Sequence, residues 1–468
     1  MQKLIPKIIL KIYKKLQENN FEVYLVGGSV RNLIMKLPVK DWDLTTNATP
    51  EEMLKLFPDG FYDNTFGTVG IPIEKDGKNQ VVEVTTFRTE HGYTDRRRPD
   101  KVLWGKTIEE DLARRDFTIN AIALHLEGGR LALSEAEGMD YFEVNKTELI
   151  DPFNGKKDIE NKLIRAVGDP DQRFKEDALR LLRAIRIATE LSFTIEEKTW
   201  KELVTDAPLI TQISEERIQI ELMRILASNY PYDGIMLLRN STLLEQIIPE
   251  LLKGVGVSQV RPGRHHTTDV FTHNVLSLKY TPSTDPIVRF AALLHDVGKP
   301  YVASTDEHGL VIFHNHEIVG AKMAKEICER LKFSKKEREK IVNLIRWHMF
   351  TVDEKITDAA VRRFIRRVGV ENVKDMMDLR IGDRLGGGTQ TAESWRLKLF
   401  KKRVEDQLKP APFSINDLVI DGNDVMKELN IKPGPKVGEI LQKLFEEVDE
   451  DLSRNNREYL LKRIHELD

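Results

Sequence analysis

The spacing of apolar positions divides the chain into a strand-containing part and a helical part. Before about Asp158, apolar side chains alternate with polar ones in short runs bounded by turn residues, which is typical of strands. The predicted strands are Val23–Val26, Trp42–Thr45, Val69–Ile73 and Val81–Thr85. After Asp158 the apolar positions follow a helical period with little interruption. The pattern therefore predicts a small α/β head on a long all-α body.

The first segment, Met1–Gln17, has a helical apolar period of its own. It carries five lysines and no acidic residue. Its apolar positions fall on one helical face: Ile5, Ile9, Ile12 and Leu16. A targeting peptide would be rich in Arg and Ser, which this segment lacks. We therefore predict an amphipathic first helix that leads directly into the strand at Val23.

Clusters of glycine, proline and aspartate mark candidate domain boundaries. They occur near Asp151–Gly155, Gly168–Asp171, Gly254–Gly263 and Pro410–Pro412. A chain of 468 residues is expected to form roughly three or four domains. We predict four, over residues 1–145, 146–250, 251–390 and 391–468.

Composition excludes several classes of protein. Charged residues make up 31% of the chain, and no apolar run approaches the ~20 residues that a membrane helix needs, so we predict no membrane partner. The net charge of −3 does not by itself favour RNA, because an RNA-binding chain with this balance must segregate its basic residues. The single cysteine, Cys328, excludes a disulfide framework and suits a reducing cytoplasm.

Three carboxylates in the head form a candidate site for phosphoryl transfer. Asp41 and Asp43 lie two positions apart in a predicted strand, so their side chains point to the same face. Carboxylates this close repel each other unless cations lie between them, and Mg²⁺ is commonly held this way beside phosphates. Glu83 points away from its valine neighbours and is a candidate third carboxylate on an adjacent strand. An Asp-x-Asp pair alone is more often a turn or a solvated edge than a site.

A glycine turn strengthens the case for a phosphate site. Gly27 and Gly28 follow the strand that ends at Val26, and a helix is predicted to begin near Val30. A strand, a glycine turn and a helix N-terminus present free backbone N–H groups to an anion. Together with the carboxylates, the turn predicts a two-metal reaction that activates a hydroxyl and stabilises leaving pyrophosphate.

Three segments of the head resemble the tRNA nucleotidyltransferase and poly(A) polymerase family, in its bacterial–eukaryotic class. They are Gly27–Arg31, Asp41–Ala48 and Asp111–Ala121. The string Arg-Arg-Asp-Phe-Thr-Ile-Asn-Ala within the last segment is the most specific. The resemblance covers nearly the whole chain. It implies an α+β fold, with a polymerase-β-like nucleotidyltransferase head of mixed sheet and helices, an all-α neck, an HD-type body and a helical tail that contacts tRNA.

The resemblance also implies roles for residues of the head. Asp41 and Asp43 would bind Mg²⁺ and act in catalysis with Glu83. The ribose and triphosphate of the nucleotide would be held by Gly28, Arg31, Arg115, Asp116 and Asn120. The chain departs from the family at Asn32, where the family usually has Asp, and at Lys36, where Gly is frequent. Any role of a carboxylate at the first of these positions is therefore in doubt.

A second motif, Glu176–Arg183, is predicted to be helical and resembles the family's Glu-Asp-x-x-Arg motif. In a helix Asp177 and Arg180 would be neighbours, and most such pairs are surface ion pairs of little value. The resemblance instead implies a protein template for the base. Asp177 would accept from the exocyclic amine that cytosine and adenine share, Arg180 would donate to ring acceptors, and Glu176 would orient them. A wrong base would leave buried polar groups unpaired, at ~1–3 kcal/mol each.

The polar stretch Arg88–Pro99 has two interpretations. From its composition it would be a charged surface loop. The resemblance makes it the flexible loop that lets the pocket change from C to A, which favours addition of the terminal A.

Histidines and aspartates in the body form a third constellation. His295 and Asp296 end an apolar helix, and further candidate ligands follow the order of the HD phosphohydrolase superfamily: His273, His316, His348 and Asp383. Imidazoles and carboxylates suit Mn, Ni, Fe or Mg. The resemblance implies a second divalent metal and removal of phosphates from RNA ends. The alternative is a structural remnant in a body that only grips tRNA. The other histidines of this region are interpreted as ordinary polar residues: His265, His266 and His314.

The predicted function is template-independent addition of C, C and A to the 3′ end of tRNA from CTP and ATP, in the cytoplasm. The alternatives are an enzyme that adds only the final A to tRNA ending in CC, an HD phosphohydrolase acting on RNA 3′ ends, and a catalytically silent RNA-binding module. A poly(A) polymerase is disfavoured, because Phe66–Pro72 occupies the place of a Gly-Arg-Arg-Phe-like string. In the tail, lysines of Lys432–Gly438 could pair with RNA phosphates.

Overall fold

The computed structural model describes residues 3–39, 41–62, 67–75, 78–91, 101–127, 130–131, 141–144, 146–259, 268–408 and 414–467. Residues 92–99 of the predicted loop, Phe66, His265 and His266 lie outside these ranges. The chain forms two compact units, Met1–Pro249 and Glu250–Asp468. Each unit is described separately.

The first unit is built on a mixed sheet. Its strands are β1 (Lys3–Pro6), β2 (Val23–Val26), β3 (Asp43–Thr46), β4 (Phe61–Tyr62), β5 (Thr68–Lys75), β6 (Lys78–Thr86), β7 (Arg88–His91), β8 (Lys101–Trp104), β9 (Ala123–Glu127), β10 (Arg130–Leu131), β11 (Tyr141–Val144), β12 (Lys146–Ile150), β13 (Leu163–Ile164) and β14 (Thr194–Ile195). Seven strands form the main sheet, in the order β12-β9-β2-β3-β6-β5-β4. Within this sheet β3 and β6 run parallel, and the other neighbours are antiparallel.

The predicted strands of the head are present, with shifted ends. β2 has the predicted bounds, and β3 begins and ends one residue later than predicted. Asp41, which was expected to share a strand with Asp43, precedes the strand. Alternation is clear in β6, where Val82 and Val84 are buried on either side of the exposed Glu83, whereas β2 and β3 each bury three of their four residues. Leu25, Leu44 and Val84 each expose 1% or less of their surface.

The N-terminal helix is shorter than predicted. Its four predicted apolar positions are all buried, which confirms the face that they define. Ile5 nevertheless lies in β1, which pairs antiparallel with β11 opposite Phe142, and the helix begins at Lys7. Helical periodicity could not separate these cases, because Ile5 is buried in either arrangement.

Helices follow and flank the sheet in the first unit. They are α1 (Lys7–Glu18), α2 (Gly28–Met35), α3 (Pro50–Leu56), α4 (Ile108–Ala113), α5 (Gly155–Glu160), α6 (Pro170–Glu176), α7 (Leu179–Leu191), α8 (Glu197–Asp206), α9 (Glu215–Ala227), α10 (Pro231–Asn240) and α11 (Leu243–Ile247), with 3-10 turns at Thr118–Asn120 and Ala207–Gln212. After the main sheet the chain is helical, as predicted, except that β13 and β14 add a two-residue parallel ribbon.

The second unit is helical. After α12 (Pro249–Leu252) at the boundary, its helices are α13 (Val270–Tyr280), α14 (Pro286–Leu294), α15 (Lys299–Val302), α16 (His316–Arg330), α17 (Lys335–Trp347), α18 (Asp358–Val368), α19 (Val373–Gly386), α20 (Trp395–Leu408), α21 (Gly422–Leu429), α22 (Pro435–Glu450) and α23 (Arg457–Leu467). Short 3-10 turns occur at Val370–Asn372, Ile415–Asp417 and Leu452–Arg454, and a small antiparallel ribbon joins β15 (Ser304–Thr305) to β16 (Val311–Ile312). Within the described ranges, every helix is too short or too polar to span a membrane.

Candidate functional site

The parallel pairing of β3 and β6 brings two of the predicted carboxylates together. Asp43 and Glu83 are direct Cα partners in register, so their side chains leave the sheet on the same face. Glu83 is exposed while Val82 and Val84 are buried, as the alternation predicted. Asp41 is exposed just before β3. The pKa of Asp43 is raised by the burial of Asp43 itself and by the negative charge of Asp41. Oxygen donors clustered in this way fit a divalent cation.

The glycine turn lies against these carboxylates. Gly27 has φ +71° and immediately precedes α2, which begins at Gly28. A Cβ on Gly27 would lie 2.9 Å from Nη1 of Arg115 and 3.6 Å from Oδ2 of Asp43. A side chain at this position would therefore be strained and would push into the Arg115 guanidinium. The Gly27 N–H donates to the Ile122 carbonyl oxygen at 3.3 Å, whereas Gly28, at the N-terminus of α2, faces the site, where backbone N–H groups suit an anion.

A continuous set of hydrogen bonds links the predicted nucleotide-binding residues. Nη1 of Arg31 donates to Oδ1 of Asn120 at 2.7 Å, and Nδ2 of Asn120 donates to Oδ1 of Asp116 at 3.1 Å. Oδ2 of Asp116 accepts from Nε and Nη2 of Arg183, at 2.8 and 2.5 Å. Burial alone would raise the pKa of Asp116, but the Arg183 guanidinium holds it below its usual range. The structure thus adds Arg183, a member of the quoted motif that received no role from the sequence.

Asp111 is a second residue that the sequence interpretation left without a role. Its side chain is fully buried and accepts from Arg114 at 2.6 Å and from Arg115 at 3.2 Å. Burial would raise the pKa of Asp111, but the two guanidinium groups outweigh burial and hold the pKa below its usual value, so the group is a carboxylate at neutral pH. The signal was local, because spacings of three and four residues bring side chains together around one turn, here the turn that ends α4.

Asn32 replaces the family's usual Asp without leaving a gap in the network. Its Oδ1 accepts from Nε and Nη2 of Arg31, at 3.2 and 3.0 Å, and its Nδ2 donates to the carbonyl oxygen of Pro38 at 3.1 Å. An amide therefore still fixes the Arg31 guanidinium. The second contact is one that a carboxylate could not make.

The prediction of one continuous helix over Glu176–Arg183 was wrong, because the helix is interrupted at Asp177. Helix α6 ends at Glu176, and Asp177 is extended, with φ −143° and ψ 104°, before α7 begins at Leu179. The helix breaks because the Asp177 side chain accepts from the Leu179 N–H at 3.0 Å, as a residue preceding a helix commonly does.

Asp177 and Arg180 consequently have different ionic partners. Arg180 donates to Oε2 of Glu176 at 2.7 Å, so Glu176 contacts one member of the pair that it was predicted to orient. Asp177 is held instead by Arg217 of α9, whose Nη2 lies 3.0 Å from Oδ2 of Asp177. No local pattern in the sequence pointed to Arg217, which lies 40 positions away.

Two cavities meet at the carboxylates. One, of about 440 Å³, brings together eight predicted residues with two new ones: Gly28, Asp43, Glu83, Arg115, Asp116, Asn120, Asp177, Arg180, Arg183 and Arg217. The other, of about 1180 Å³, is lined by Asp41, Arg31 and Arg224, and it shares Asp43 and Glu83 with the first. Of the predicted nucleotide-binding residues, Glu176 lines neither cavity, and its Oε2 accepts from both Arg173 and Arg180. The predicted loop begins as a strand, since Arg88–His91 pair with Lys101–Trp104.

The second unit gathers the predicted HD residues around one carboxylate. Oδ2 of Asp296 lies 3.3 Å from Nε2 of both His273 and His295, and Oδ1 of Asp383 lies 3.3 Å from His273. Oδ1 of Asp296 lies 3.3 and 3.6 Å from Nε2 of two further ligands, His316 and His348. Two groups with the geometry of a metal site therefore share Asp296.

The hydrogen bonds of the histidine rings indicate that the cluster fits cations. Nδ1 lies within 2.7–2.8 Å of a backbone carbonyl oxygen in His295, His316 and His348, so Nδ1 carries the proton and Nε2 carries a lone pair. Lone pairs then face carboxylate oxygens, and Nε2 of His316 and of His348 has no hydrogen-bond partner within the described part of the chain. Burial would lower the pKa of His295, but the negative charge of Asp296 raises it, so this position favours a cation, either a proton or a metal ion at Nε2.

Lys299 and a glycine contact complete the cluster. The Lys299 ammonium contacts Asp296 and donates to Gln259 at 2.5 Å, although sequence reasoning gave Lys299 no role. Gly298 lies against the start of α16, where a Cβ would be 2.3 Å from the His316 carbonyl oxygen. This close approach brings His316 to Asp296. His314 is exposed, in agreement with its interpretation as an ordinary polar residue.

Comparison with known proteins gives three matching family models. Residues 23–165 match the poly A polymerase head domain, residues 192–254 the "probable RNA and SrmB-binding site of polymerase A", and residues 305–464 tRNA nucleotidyltransferase domain 2. A CCA-adding enzyme of Limosilactobacillus reuteri is 30% identical over 462 residues, which cover 97% of this chain and 95% of that protein. A CCA-adding enzyme of Geobacillus thermodenitrificans is 39% identical over 235 residues, 50% of this chain and 52% of that one.

The more similar relatives match over only part of their length. At 38–40% identity, the chain spans about half the length of the curated relatives that it matches. Among solved structures, the Bacillus stearothermophilus CCA-adding enzyme in complex with CTP has a TM-score of 0.64 at 24% identity, over 98% of this chain and 96% of that one. This likeness concerns the fold, and it confirms the predicted α+β class with a nucleotidyltransferase head and helical domains after it.

Proposed function

The chain belongs to the CCA-adding enzyme family of tRNA nucleotidyltransferases, and from this we propose that it adds C, C and A to the 3′ end of tRNA, using CTP and ATP without a nucleic-acid template. The observation that carries the proposal is the pair of cavities that share Asp43 and Glu83. The smaller cavity has the size and polar groups for a nucleotide. The larger one leaves room for the end of an RNA.

Nucleotidyltransferases of this class use divalent cations, and we propose Mg²⁺ held by Asp41, Asp43 and Glu83. Bound there, the cation would supply charge neutralisation of the triphosphate and a lowered pKa for the attacking 3′-hydroxyl. The chain's own carboxylates face both cavities, so the RNA hydroxyl and the α-phosphate can approach the same face of the sheet.

The basic and amide side chains of the smaller cavity orient the nucleotide. Arg115 lies beside the glycine turn, where its guanidinium can pair with phosphate oxygens. Asn120 is fixed between Arg31 and Asp116, which leaves little freedom to the group proposed to meet the ribose. Gly28 contributes the N-terminal N–H groups of α2. Arg183 keeps Asp116 ionised and immobile, so we assign it a positioning role.

Asp177 and Arg180 are proposed to select the base. Each is held by a different partner, Arg217 and Glu176 respectively, and both face the smaller cavity. A fixed acceptor beside a fixed donor matches the amine and ring acceptors that cytosine and adenine share. Uracil and guanine would present a carbonyl to Asp177, and the unpaired polar groups would disfavour them.

In the test, tRNA lacking its 3′ end and tRNA already ending in CC are each incubated with every nucleoside triphosphate in turn and with mixtures, and the product ends are sequenced. Addition of C, C and A from CTP and ATP is expected. Extension only of tRNA that already ends in CC would support the A-adding alternative instead. A chain that binds tRNA but extends none of these substrates would refute the proposal and favour a silent RNA-binding module.

A second function is proposed for the second unit, because its buried cluster matches the donors that divalent cations prefer. We propose that it hydrolyses phosphates at RNA 3′ ends. The cations would be held by Asp296 and its neighbours, and they would supply an activated water. In this reaction a water oxygen bonds to phosphorus, the phosphorus–ester oxygen bond breaks, and the alcohol leaves with a proton. Lys299, beside Asp296, is placed to neutralise the phosphate.

The paired substitution His295→Ala with Asp296→Ala tests this second function. Release of phosphate from a 3′-phosphorylated or cyclic-phosphate RNA is expected to disappear, while nucleotide addition continues. A melting curve must accompany the assay, since a bound metal also stabilises the fold around it. Wild-type protein that binds no divalent metal in the second unit would refute the phosphohydrolase proposal.

The remaining expectations concern organisation and location. We propose a head over 1–145, a neck over 146–250, an HD-type body over 251–390 and a tail over 391–468. The division of the two units after Pro249 supports the second of these boundaries. We propose the cytoplasm as the site of action, because the single cysteine, Cys328, is a free and buried thiol.

A further inference from the structure

A basic and aromatic cavity lies beside the HD cluster in the second unit. It has a volume of about 360 Å³, and its lining includes Phe350, Arg380, Arg384, Trp395 and Arg396. Two of its walls continue from segments that carry HD ligands: Phe350 follows His348 by two residues, and Arg384 follows Asp383 directly. Nη1 of Arg380 also donates to Oδ2 of Asp383 at 3.0 Å. The cavity is therefore connected to the cluster through neighbouring positions in the chain and through one hydrogen bond.

The charge of this cavity favours an anion. Three guanidinium groups line it, and none of its lining residues is acidic. Arg380 is neutralised by Asp383, which leaves Arg384 and Arg396 as the uncompensated charges. Nε of Arg384 is buried, and it has no hydrogen-bond partner among the residues that the structure describes. A buried guanidinium nitrogen without an acceptor is unfavourable unless a ligand supplies one, and phosphate is the ligand that arginine pairs with best.

The aromatic groups favour a base in addition to a phosphate. Trp395 exposes 58% of its surface at the start of α20, an unusual position for an indole. The Arg396 guanidinium lies 5.4 Å from the ring centroid. Phe350 is fixed by stacking against Phe400, with ring centroids 5.4 Å apart. An exposed indole beside guanidinium groups is the arrangement on which unpaired bases of single-stranded RNA stack.

We propose that this cavity binds the 3′-terminal nucleotides of a single-stranded RNA, with a base on Trp395 and phosphates against Arg384 and Arg396, and that it directs the phosphorylated end to the HD cluster. This proposal rests on the phosphohydrolase function, for which it names the substrate: an unpaired RNA end rather than a free phosphate ester. Every residue of this cavity lies in the second unit, so the proposed binding does not depend on the head.

Binding of a short oligonucleotide to the full chain tests the proposal. The probe is 5′-labelled triuridylate with a 3′-phosphate, in chelating buffer, measured by fluorescence anisotropy. Uridine is chosen because the head is proposed to select C and A. Trp395→Ala is expected to weaken binding about tenfold, the loss of one stacked base. Arg396→Gln is expected to reduce the slope of log affinity against log salt by about 0.7, the value for one phosphate contact on a single strand.

Lys398→Gln is the matched control, because Lys398 is exposed on the same helix and does not line the cavity. An abasic trimer of the same charge separates the two kinds of contact: Trp395→Ala should not change its affinity, whereas Arg396→Gln should. Equal affinities of wild type, Trp395→Ala and Arg396→Gln for triuridylate would overturn the proposal. So would a Trp395→Ala effect of the same size on the abasic trimer.

Parallel phosphate-release assays with added Mn²⁺, Ni²⁺ or Mg²⁺ distinguish failure of this proposal from failure of the phosphohydrolase function. Wild type that binds the trimer through Trp395 but releases no phosphate would refute the hydrolysis alone. Release of phosphate with the same KM in wild type and Trp395→Ala would refute the cavity alone. The expected result is a raised KM in Trp395→Ala with little change in kcat, as loss of a substrate-binding contact away from the reacting phosphate requires.

Discussion

Replacement of one carboxylate oxygen of Asp177 by an NH₂ group, in Asp177→Asn, should relax the choice of base. In the folded chain Oδ1 of Asp177 accepts from the Leu179 N–H at 3.0 Å, and Oδ2 lies 3.0 Å from Nη2 of Arg217. Asp177→Asn has the same shape and keeps one oxygen to cap α7. It replaces a group that only accepts hydrogen bonds with one that also donates them.

The size of the effect follows from which groups a wrong base leaves unpaired. With Asp177, uracil would set its carbonyl oxygen against a carboxylate oxygen, and one buried polar mismatch costs ~1–3 kcal/mol. The asparagine amide can turn its NH₂ towards that carbonyl and remove this mismatch. The ratio of kcat/KM for CTP to that for UTP should therefore fall by about 5- to 150-fold. The Arg180 contact should preserve part of the discrimination.

The assay compares single-nucleotide addition to tRNA lacking its 3′ end, with CTP or UTP as the only triphosphate. Asp171→Asn is a matched control, since Asp171 forms a half-exposed surface pair with Lys175 on α6. Arg217→Lys should also weaken discrimination, because Lys cannot reproduce the two-pronged contact with Asp177. Unchanged exclusion of UTP in Asp177→Asn, in protein that melts like wild type, would show that the base is selected elsewhere.

Three further predictions concern chemistry and stability. Asp43→Ala should reduce nucleotide addition about a thousandfold or more while tRNA binding is retained. Substitution of the exposed Asp59 by Ala is the control. Near-normal turnover in Asp43→Ala would refute the metal assignment. Burial raises the pKa of Cys328 from 9.0 to about 12, so only the unfolded chain ionises between these values. The free energy of unfolding should therefore fall as pH rises from 9 to 12, and Cys328→Ala should lessen that fall in alkaline melting curves. Arg186→Met should lower the free energy of unfolding by ~3–5 kcal/mol in chemical denaturation, because it leaves Glu221 buried without its partner at 2.5 Å. Adding Glu221→Leu should recover most of this loss. If no stability were recovered, the loss would come from packing and not from the unpaired charge.

The head site was predictable to the extent that it depends on local periodicity. The outward position of Glu83 followed from alternation with two buried valines, and the placement of Gly27 and Gly28 between a strand and a helix followed from turn chemistry. The parallel register that sets Asp43 opposite Glu83 did not follow from either pattern. Strand pairing is decided by the whole sheet, and periodicity within one strand carries no information about its neighbour.

The segment Glu176–Arg183, proposed to select the base, shows where the sequence interpretation failed. Glu176–Arg183 contains no glycine or proline, so an unbroken helix was the natural expectation. Asp177 was itself the overlooked signal, because a short acidic side chain is a frequent cap before a new helix. Its partner Arg217 could not be inferred, since an ion pair between distant segments leaves no trace in local spacing. The histidines and aspartates gathered around Asp296 were predicted because their order along the chain has a recognisable pattern, whereas Lys299, three residues after Asp296, was not assigned a role.

The parallel pairing of β3 with β6 also bears on how the protein acquires activity as it folds. Neighbouring parallel strands cannot be joined by a tight hairpin, so Asp43 and Glu83 meet only after the intervening chain has closed into a long loop, at an entropic cost. The Glu176–Arg180 contact spans four residues and can form as soon as its own turn does. In a chain whose β3 and β6 remain apart, the carboxylates proposed to hold the cation have not met. Under the proposed function, such an unfinished molecule adds no nucleotide, correct or wrong.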